Sequence, residues 1–229
     1  MELHPHVVVV IAAYNESAQI AEVVRGVMGA GYRRVVVVDD GSVDQTSDRA
    51  VAAGAVVLRH IINRGQGAAL KTGIDHALAS GADIVVTFDA DGQHDPSDLD
   101  AIVAPVRDGT VEASLGSRFL RPGSNVPYVR KLALKGGAFL MRVMYGVQLT
   151  DSHNGFRALS RSALGRMELR ADKMEHASEI ISEIGRKHIR YCEVPVTIRY
   201  TEYSIRNSKQ GPMPALRIAW KMLMHKVMR

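Results

Sequence analysis

The stretch VVTFDADGQHDPSDL, residues 85–99, contains a strand, an acidic loop and a helix start in immediate succession. Its β-branched and aromatic run predicts a buried strand. Asp89 and Asp91 follow at the end of that strand, and Asp95-Pro96 is the pair typical of a helix N-cap and first turn. The stretch therefore predicts a strand–loop–helix unit with two carboxylates in its loop.

The same unit recurs through the first half of the chain. Strands are predicted at 7–14, 34–42 and 55–60, and helices at 44–53 and 66–80. A first helix is predicted from a Ser17 cap to about Ala30. Strands that alternate with helices in this way predict an α/β fold with a mostly parallel central sheet flanked by helices. In such sheets ligands bind at the carboxyl ends of the strands.

The second half has a less regular pattern. A loop is predicted over 118–129, a helix over 130–145, a loop entering a short strand or turn over 151–161, a helix over 175–187, a long strand over 189–203 and a helical tail from Pro214. No linker, repeat or low-complexity segment interrupts the chain, so we expect one domain over residues 1–229.

Composition narrows the class of protein. With 229 residues and 46% hydrophobic residues, the chain can bury the core of one globular domain. A single cysteine, Cys192, cannot form an internal disulfide, which is compatible with the cytoplasm. The N-terminal apolar run is too short for a signal peptide, and no stretch approaches the roughly 20 apolar residues of a membrane span. We expect a cytoplasmic protein.

The net charge of +5 is the sum of an acidic first half and a basic second half. Residues 1–116 carry 8 Lys and Arg against 16 Asp and Glu, whereas residues 117–229 carry 21 against 8. The acidic half suits a metal and the basic half suits phosphates or a lipid surface, although a solvated surface would explain both. No nucleic-acid-binding motif accompanies the basic half, so no nucleic acid partner is expected.

The loop motifs exclude some nucleotide-binding classes. Residues 13–16 after the first strand are Ala-Tyr-Asn-Glu rather than a dinucleotide-binding glycine fingerprint, and a Walker loop is absent. Asp89 and Asp91 repel each other unless something compensates their charge. We therefore predict a divalent cation there, the alternative being a capping or turn role.

Three loop motifs, AYNE (13–16), DDGS (39–42) and DADGQ (89–93), together resemble the inverting family 2 glycosyltransferases, which have the GT-A fold and use nucleotide-diphosphate sugars. Four further segments resemble the dolichyl- or polyprenyl-phosphate mannose or glucose synthase branch: NRGQGAALKTG (63–73), GSRF (116–119), TDSHNGFR (150–157) and VPVTIRYTEYS (194–204). The resemblance extends from residue 7 to about residue 204.

The resemblance implies roles for individual residues. The donor nucleotide would be bound by Ala13, Tyr14, Glu16, Asp39, Asp40, Arg64, Lys71, Asp89 and Ala90. Mg²⁺ or Mn²⁺ would be bound by Asp89, Asp91 and Gln93. The acceptor phosphate would be held by Arg118, Arg130 and Lys131, with Asp91 and Arg118 as the catalytic residues. Residues 7–116 would then form the donor and metal half, 117–212 the acceptor half and 213–229 an amphipathic C-terminal helix.

Some of these residues also have plain structural readings. Asp39 and Asp40 could instead serve in a turn, the segment at Arg64 could simply start a helix, and Asp151 and Arg157 could be scaffolding. These alternatives stay open at the level of sequence.

The acceptor decides whether a general base is needed. A lipid phosphate is already an anion and can attack the anomeric carbon directly, whereas a sugar hydroxyl normally needs a base. The Glu-Asp pair and the QxxRW motif expected for hydroxyl acceptors are absent, although residues 170–184 contain His176 and Glu179. Those two side chains are either acceptor contacts or the polar face of a helix.

We therefore expect an inverting transferase that moves a hexose from a donor of the GDP-mannose or UDP-glucose type to a polyprenyl phosphate. Transfer to a sugar hydroxyl of a lipid-linked or polysaccharide acceptor, or a non-catalytic nucleotide-sugar-binding protein, are the alternatives. The basic, Trp-containing tail fits a helix on the inner face of the membrane as well as one packed on protein. The sequence leaves open whether the protein forms a homo-oligomer.

Overall fold

The computed structural model describes residues 5–120, 142–151 and 154–199, which form one α/β fold around a seven-stranded sheet. The strands are β1 Val7–Ala13, β2 Val35–Asp39, β3 Val56–Arg59, β4 Ile84–Asp89, β5 Ala113–Ser117, β6 Arg157–Ser160 and β7 Tyr191–Pro195. Their order in the sheet is β3-β2-β1-β4-β6-β5-β7. Every pairing except those of β6 is parallel, so the predicted mostly parallel sheet is confirmed.

Helices cover both faces of this sheet. They are α1 Ile20–Gly29, α2 Thr46–Ala52, α3 Gln66–Ala79, α4 Leu99–Arg107, α5 Arg161–Arg166 and α6 His176–Arg186. Successive residues of β1 point to opposite faces: Val9 and Ile11 belong to the core that includes α1 and α4, whereas Val8 and Val10 belong to the core that includes α3 and α6. The continuous valine runs are thus explained by burial on both faces.

Local signals for helix ends are partly confirmed. Asp95 caps the turn before α4, because its carboxylate accepts the backbone N–H of Ser97 at 3.0 Å. The predicted Ser17 cap is wrong: α1 begins at Ile20. The backbone N–H of Ser17 instead donates to Asp44 at 3.1 Å, which ties the residue to the neighbouring loop.

Strand β6 is the main departure from the sequence prediction. It lies antiparallel between β4 and β5, and Thr87 of β4 is paired with Arg157 of β6. The start of β6 therefore meets the carboxyl end of β4 and brings residues 154–157 beside Asp89. The strand predicted over 189–203 is shorter, ending at Pro195, with one isolated bridge from Ile198 to His94.

Five predicted segments lie wholly or partly outside the described residues. These are most of the loop expected over 118–129, most of the helix expected over 130–145, of which residues 142–145 are helical, residues 152–153 of the loop expected over 151–161, the end of the strand expected over 189–203, and all of the tail from Pro214. Within the part that the structure describes, no helix is both long and apolar enough to cross a membrane.

Candidate active site

The acidic ends of β2 and β4 lie on either side of β1 at the carboxyl edge of the sheet. Ala13 is paired with Asp39 and Ala12 with Asp89. The parallel register therefore brings together the three loops in which the sequence placed its candidate residues.

The loops after β1 and β2 form one surface. Asn15 adopts a left-handed backbone conformation with φ of 56°. Its N–H donates to the Ser42 hydroxyl at 2.9 Å, and its side-chain oxygen accepts the Val43 N–H at 3.0 Å. The Glu16 N–H donates to the Thr46 hydroxyl at 2.9 Å. Tyr14, 46% exposed, projects from this surface and is accessible to a ligand.

Asp39 and Asp40 are both buried and organise the loops around them. Asp39 accepts the backbone N–H of Ser42 at 2.8 Å and the Ser47 hydroxyl. Asp40 accepts the backbone N–H groups of Arg64 at 3.0 Å and Gly65 at 2.6 Å. The structural role left open for these two acids is thus present in the fold.

Asp40 also determines where α3 begins. The His60 ring donates to the same carboxylate at 2.7 Å, and Gly65 at the helix N-cap has φ of 114°, a conformation that favours glycine. The guanidinium of Arg64 is half exposed and lies 3.6 Å from Asp172. Lys71 lies on the exposed side of α3, where its ammonium binds Asp75 at 2.7 Å, one turn further from the carboxyl edge. The structure thus brings Arg64, but not Lys71, to the candidate site.

The Asp89 carboxylate is held by two side chains and stays 30% exposed. Gln66 donates to its Oδ1 at 3.1 Å and His94 to its Oδ2 at 2.9 Å. Burial alone raises the pKa of this carboxyl, but His94, His176 and Arg157 outweigh burial and lower the pKa below its ordinary value. Asp89 is therefore an anion in a prearranged orientation.

The Asp91 carboxyl behaves in the opposite way. Burial and the neighbouring charge of Asp89 raise the pKa of Asp91. A 3.0 Å hydrogen bond from the Gln93 N–H lowers this pKa, but it does not offset the other two effects. Two neighbouring carboxylates that repel each other fit a divalent cation, which would relieve their repulsion.

The donor set is small. Across residues 5–120, 142–151 and 154–199 there is no group of three or more His, Cys, Asp or Glu residues that could hold a metal ion. Asp89 and Asp91 supply two carboxylates, and Mg²⁺ commonly takes one or two carboxylates and completes its shell with water and substrate phosphate oxygens.

Gly155 touches the Asp89 carboxylate directly. A Cβ at this position would lie 2.6 Å from both Asp89 oxygens, so only glycine fits without displacing them. The Gly155 carbonyl accepts the Thr87 hydroxyl at 2.6 Å, which fixes the approach. The sequence showed the motif that contains Gly155 but gave no sign of this contact.

Arg118 follows β5 and forms a buried ion pair with Asp151. Its Nε lies 2.6 Å from Asp151 Oδ2, and the two side chains are 8% and 0% exposed. The Glu193 carboxylate holds the same region by accepting hydrogen bonds from the backbone N–H groups of Thr150 and Asp151. Arg130 and Lys131, the other predicted phosphate contacts, lie outside the described residues.

Behind Asp89 lie a buried arginine and a buried histidine. Arg157 donates to the Asn154 carbonyl at 3.0 Å, and burial lowers its pKa to about 10. His176 donates through Nδ1 to the Lys173 carbonyl at 2.8 Å, and burial, followed by the charge of Arg157, lowers its pKa. Arg157 thus places positive charge behind the acidic edge, which sequence reasoning did not identify.

Glu179 has a clear structural function. Its two carboxylate oxygens accept the backbone N–H groups of Arg170 at 2.9 Å and Ala171 at 3.0 Å. His176 is buried and Glu179 is partly exposed, and among the described residues neither forms the carboxylate–histidine pair of a general base.

Comparison with known proteins agrees with this architecture. A sequence model described as "Glycosyl transferase family 2" matches residues 8–167. The chain is 34% identical to the UDP-N-acetylglucosamine–dolichyl-phosphate N-acetylglucosaminyltransferase of Methanococcus voltae, over 95% of each chain. It is 31% identical to the polyprenol monophosphomannose synthase of Mycolicibacterium smegmatis, over 89% of this chain and 80% of that protein.

A solved structure shows the same fold. Glucosyl-3-phosphoglycerate synthase of Mycobacterium tuberculosis, crystallised with Mn²⁺ and uridine-diphosphate-glucose, superposes with a TM-score of 0.70 at 22% identity. The match covers 96% of this chain and 77% of that one. The described domain therefore has the GT-A architecture.

Proposed function

This chain belongs to glycosyl transferase family 2, and on that premise we propose that it is an inverting hexosyltransferase acting on a polyprenyl phosphate. The donor is a nucleotide-diphosphate sugar of the GDP-mannose or UDP-glucose type. Two relatives named for transfer to dolichyl phosphate and for polyprenol monophosphomannose synthesis support the acceptor. The observation that carries the proposal is the acid pair Asp89 and Asp91, held at the carboxyl edge beside the surface formed by the first two loops.

The donor nucleoside is proposed to lie across the ends of β1, β2 and β4. Tyr14 offers an exposed ring for contact with the base, and Asp39 at the end of β2 is paired with the preceding residue, Ala13. The other proposed donor contacts are Ala13, Glu16, Asp40, Arg64 and Ala90. Lys71 is left out because its ammonium pairs with Asp75 on the exposed side of α3. The guanidinium of Arg64, half exposed and 3.6 Å from Asp172, is proposed to neutralise phosphate oxygens at this edge.

Asp89, Asp91 and Gln93 are the residues proposed to hold Mg²⁺ or Mn²⁺. When bound, the ion supplies positive charge for the diphosphate leaving group. The structure of the M. tuberculosis relative with Mn²⁺ is consistent with such an ion. In this chain, Gln66 and His94 orient the first carboxylate, and Gly155 leaves room for it.

Inversion follows from a direct displacement. An acceptor phosphate oxygen forms a bond to the anomeric carbon from the face opposite the leaving group, and the bond from that carbon to the diphosphate oxygen breaks with its electron pair. The phosphate is already deprotonated, so no side chain has to remove a proton. Arg118, with Arg130 and Lys131, is proposed to hold the attacking phosphate, because arginine binds phosphate with paired charge-assisted hydrogen bonds.

The rest of the chain is assigned accordingly. Residues 7–116 are proposed as the donor half and residues 117–212 as the acceptor half. The tail over 213–229 lies outside the described residues. An acceptor dissolved in the bilayer places the enzyme peripherally at the inner face of the membrane. Transfer to a sugar hydroxyl remains the competing reaction, but the carboxylate of Glu179 is already engaged with backbone N–H groups.

The deciding experiment incubates the purified protein with radiolabelled GDP-mannose, UDP-glucose and UDP-N-acetylglucosamine in separate reactions. Each receives undecaprenyl phosphate, dolichyl phosphate or the unphosphorylated polyprenol in detergent, with Mn²⁺ or with EDTA. Metal-dependent formation of an acid-labile glycolipid from a phosphorylated carrier alone is expected. Labelling of the polyprenol or of a sugar hydroxyl acceptor in preference to the phosphates would overturn the proposal.

A further inference from the structure

The side chain of His94 lies in an aromatic enclosure beneath the candidate metal site. It is 4% exposed. Its ring packs against Phe88 at a centroid distance of 5.3 Å and against Phe156 at 5.1 Å. Its main chain is held by the bridge to Ile198. The position and tilt of the ring are therefore set by packing.

The two ring nitrogens of His94 have different surroundings. Nε2 lies 2.9 Å from Oδ2 of Asp89, whereas Nδ1 is buried and has no hydrogen-bond partner among the described residues. A proton on Nδ1 would leave a buried donor unsatisfied and would turn the Nε2 lone pair toward a carboxylate oxygen. The Nε2–H tautomer avoids both costs, so His94 is a fixed donor aimed at Asp89.

The Asp89 carboxylate is restrained from three directions. His94 donates a hydrogen bond to Oδ2, and Gln66 donates one to Oδ1 at 3.1 Å. Gly155 packs against the third side, so closely that a Cβ there would lie 2.6 Å from both carboxylate oxygens. Each oxygen keeps a second lone pair for another partner. Outer partners of this kind commonly change metal affinity by 10- to 100-fold when they are lost, roughly the range expected here.

We propose that His94 is a positioning residue, which orients Asp89 for binding a divalent cation through its Nε2–H. The inference rests on the metal site of the proposed function and deepens it by adding a residue that does not touch the cation. His94 would act by holding one carboxylate rotamer rather than by exchanging a proton with the substrate.

Three substitutions separate this role from packing. His94→Phe keeps an aromatic ring among Phe88 and Phe156 but removes the donor. His94→Gln carries an amide N–H to about the place of Nε2, whereas His94→Asn carries it to the place of Nδ1. Mn²⁺ affinity is measured by electron paramagnetic resonance of the free ion, with UDP and with GDP. Nucleotide affinity in EDTA and melting temperature are measured in parallel.

The expected result is a loss of Mn²⁺ affinity of roughly 10- to 100-fold in His94→Phe and His94→Asn, with His94→Gln close to the unmodified protein. Nucleotide affinity in EDTA should not change. The inference is overturned if His94→Phe binds Mn²⁺ as tightly as the unmodified protein, if His94→Gln is as weak as His94→Asn at equal melting temperature, or if nucleotide affinity in EDTA falls equally.

Should His94→Phe not fold, the comparison of His94→Gln with His94→Asn decides the matter. An unmodified protein that binds no Mn²⁺ with either nucleotide refutes the proposed metal site itself and this inference with it. Normal Mn²⁺ binding that is indifferent to His94 refutes this inference alone.

Discussion

The substitution Gly155→Ala tests the candidate site from the side opposite His94. The new Cβ would lie 2.6 Å from both oxygens of Asp89, whereas ordinary contact begins at 3.4 Å. The backbone of Gly155 has no positive φ, so alanine is tolerated there except for this clash. The carboxylate must therefore move by about 0.8 Å, away from the place where Gln66 and His94 hold it.

A displacement of this size has a predictable cost. A misplacement of about 1 Å in a catalytic arrangement can lower the rate by roughly 10²-fold, or about 2.7 kcal/mol of transition-state stabilisation. We expect Gly155→Ala to lower kcat/KM by about that factor and to weaken Mn²⁺ binding in parallel. The glycosyl transfer assay and the Mn²⁺ titration described above measure the two effects.

Gly165→Ala is the matched control. Gly165 lies in α5 and has no positive φ, and apart from the backbone of its own helix no atom of the described residues lies within 4 Å of an added Cβ. This variant should transfer sugar at the normal rate and gain about 0.4–1 kcal/mol of stability, because alanine restricts the unfolded chain. If Gly155→Ala remains folded and matches Gly165→Ala in rate and Mn²⁺ affinity, the close approach to Asp89 has no functional importance.

Four further predictions concern the acid pair, the buried ion pair and the loop before α6. Asp91→Asn should abolish transfer yet raise the melting temperature in EDTA, because it removes the repulsion from Asp89; a lower melting temperature would contradict this. Chelation with EDTA should stop transfer by the unmodified protein, and added Mn²⁺ or Mg²⁺ should restore it; transfer that persists in EDTA rules out a metal requirement. Arg118→Ala should lower the free energy of unfolding in urea by about 3–5 kcal/mol, because it removes the guanidinium that pairs with the buried Asp151 carboxylate. Adding Asp151→Asn should recover part of the loss, and equal stabilities of all three proteins would refute this. Glu179→Gln should keep transfer activity but lower the free energy of unfolding in urea by about 1–2 kcal/mol, because one backbone N–H loses its acceptor. A loss of transfer activity in this variant would instead favour a hydroxyl acceptor.

The sequence determined the elements of the donor half well, because their signals are local. Valine runs specify strands buried on both faces, and the Asp95-Pro96 pair specifies a helix start. The alternation of these elements with helices specifies a parallel sheet, whose geometry brings Asp39 and Asp89 to one edge. Even so, a local signal can be outweighed: Ser17 bonds to the neighbouring loop rather than capping α1.

Only the tertiary structure decided what surrounds the acids. Strand β6 pairs antiparallel with β4 across about 70 residues of chain, and no local pattern records which distant segment will fill that place. That pairing sets Gly155 against Asp89 and supplies Phe156 to the enclosure of His94. The burial of Arg118 against Asp151 likewise depends on two segments 33 residues apart. The sequence by itself thus determined which chemical groups lie at the strand ends. Long-range packing decided how those groups are oriented, because their orientation is set by neighbours that the chain brings together only when it folds.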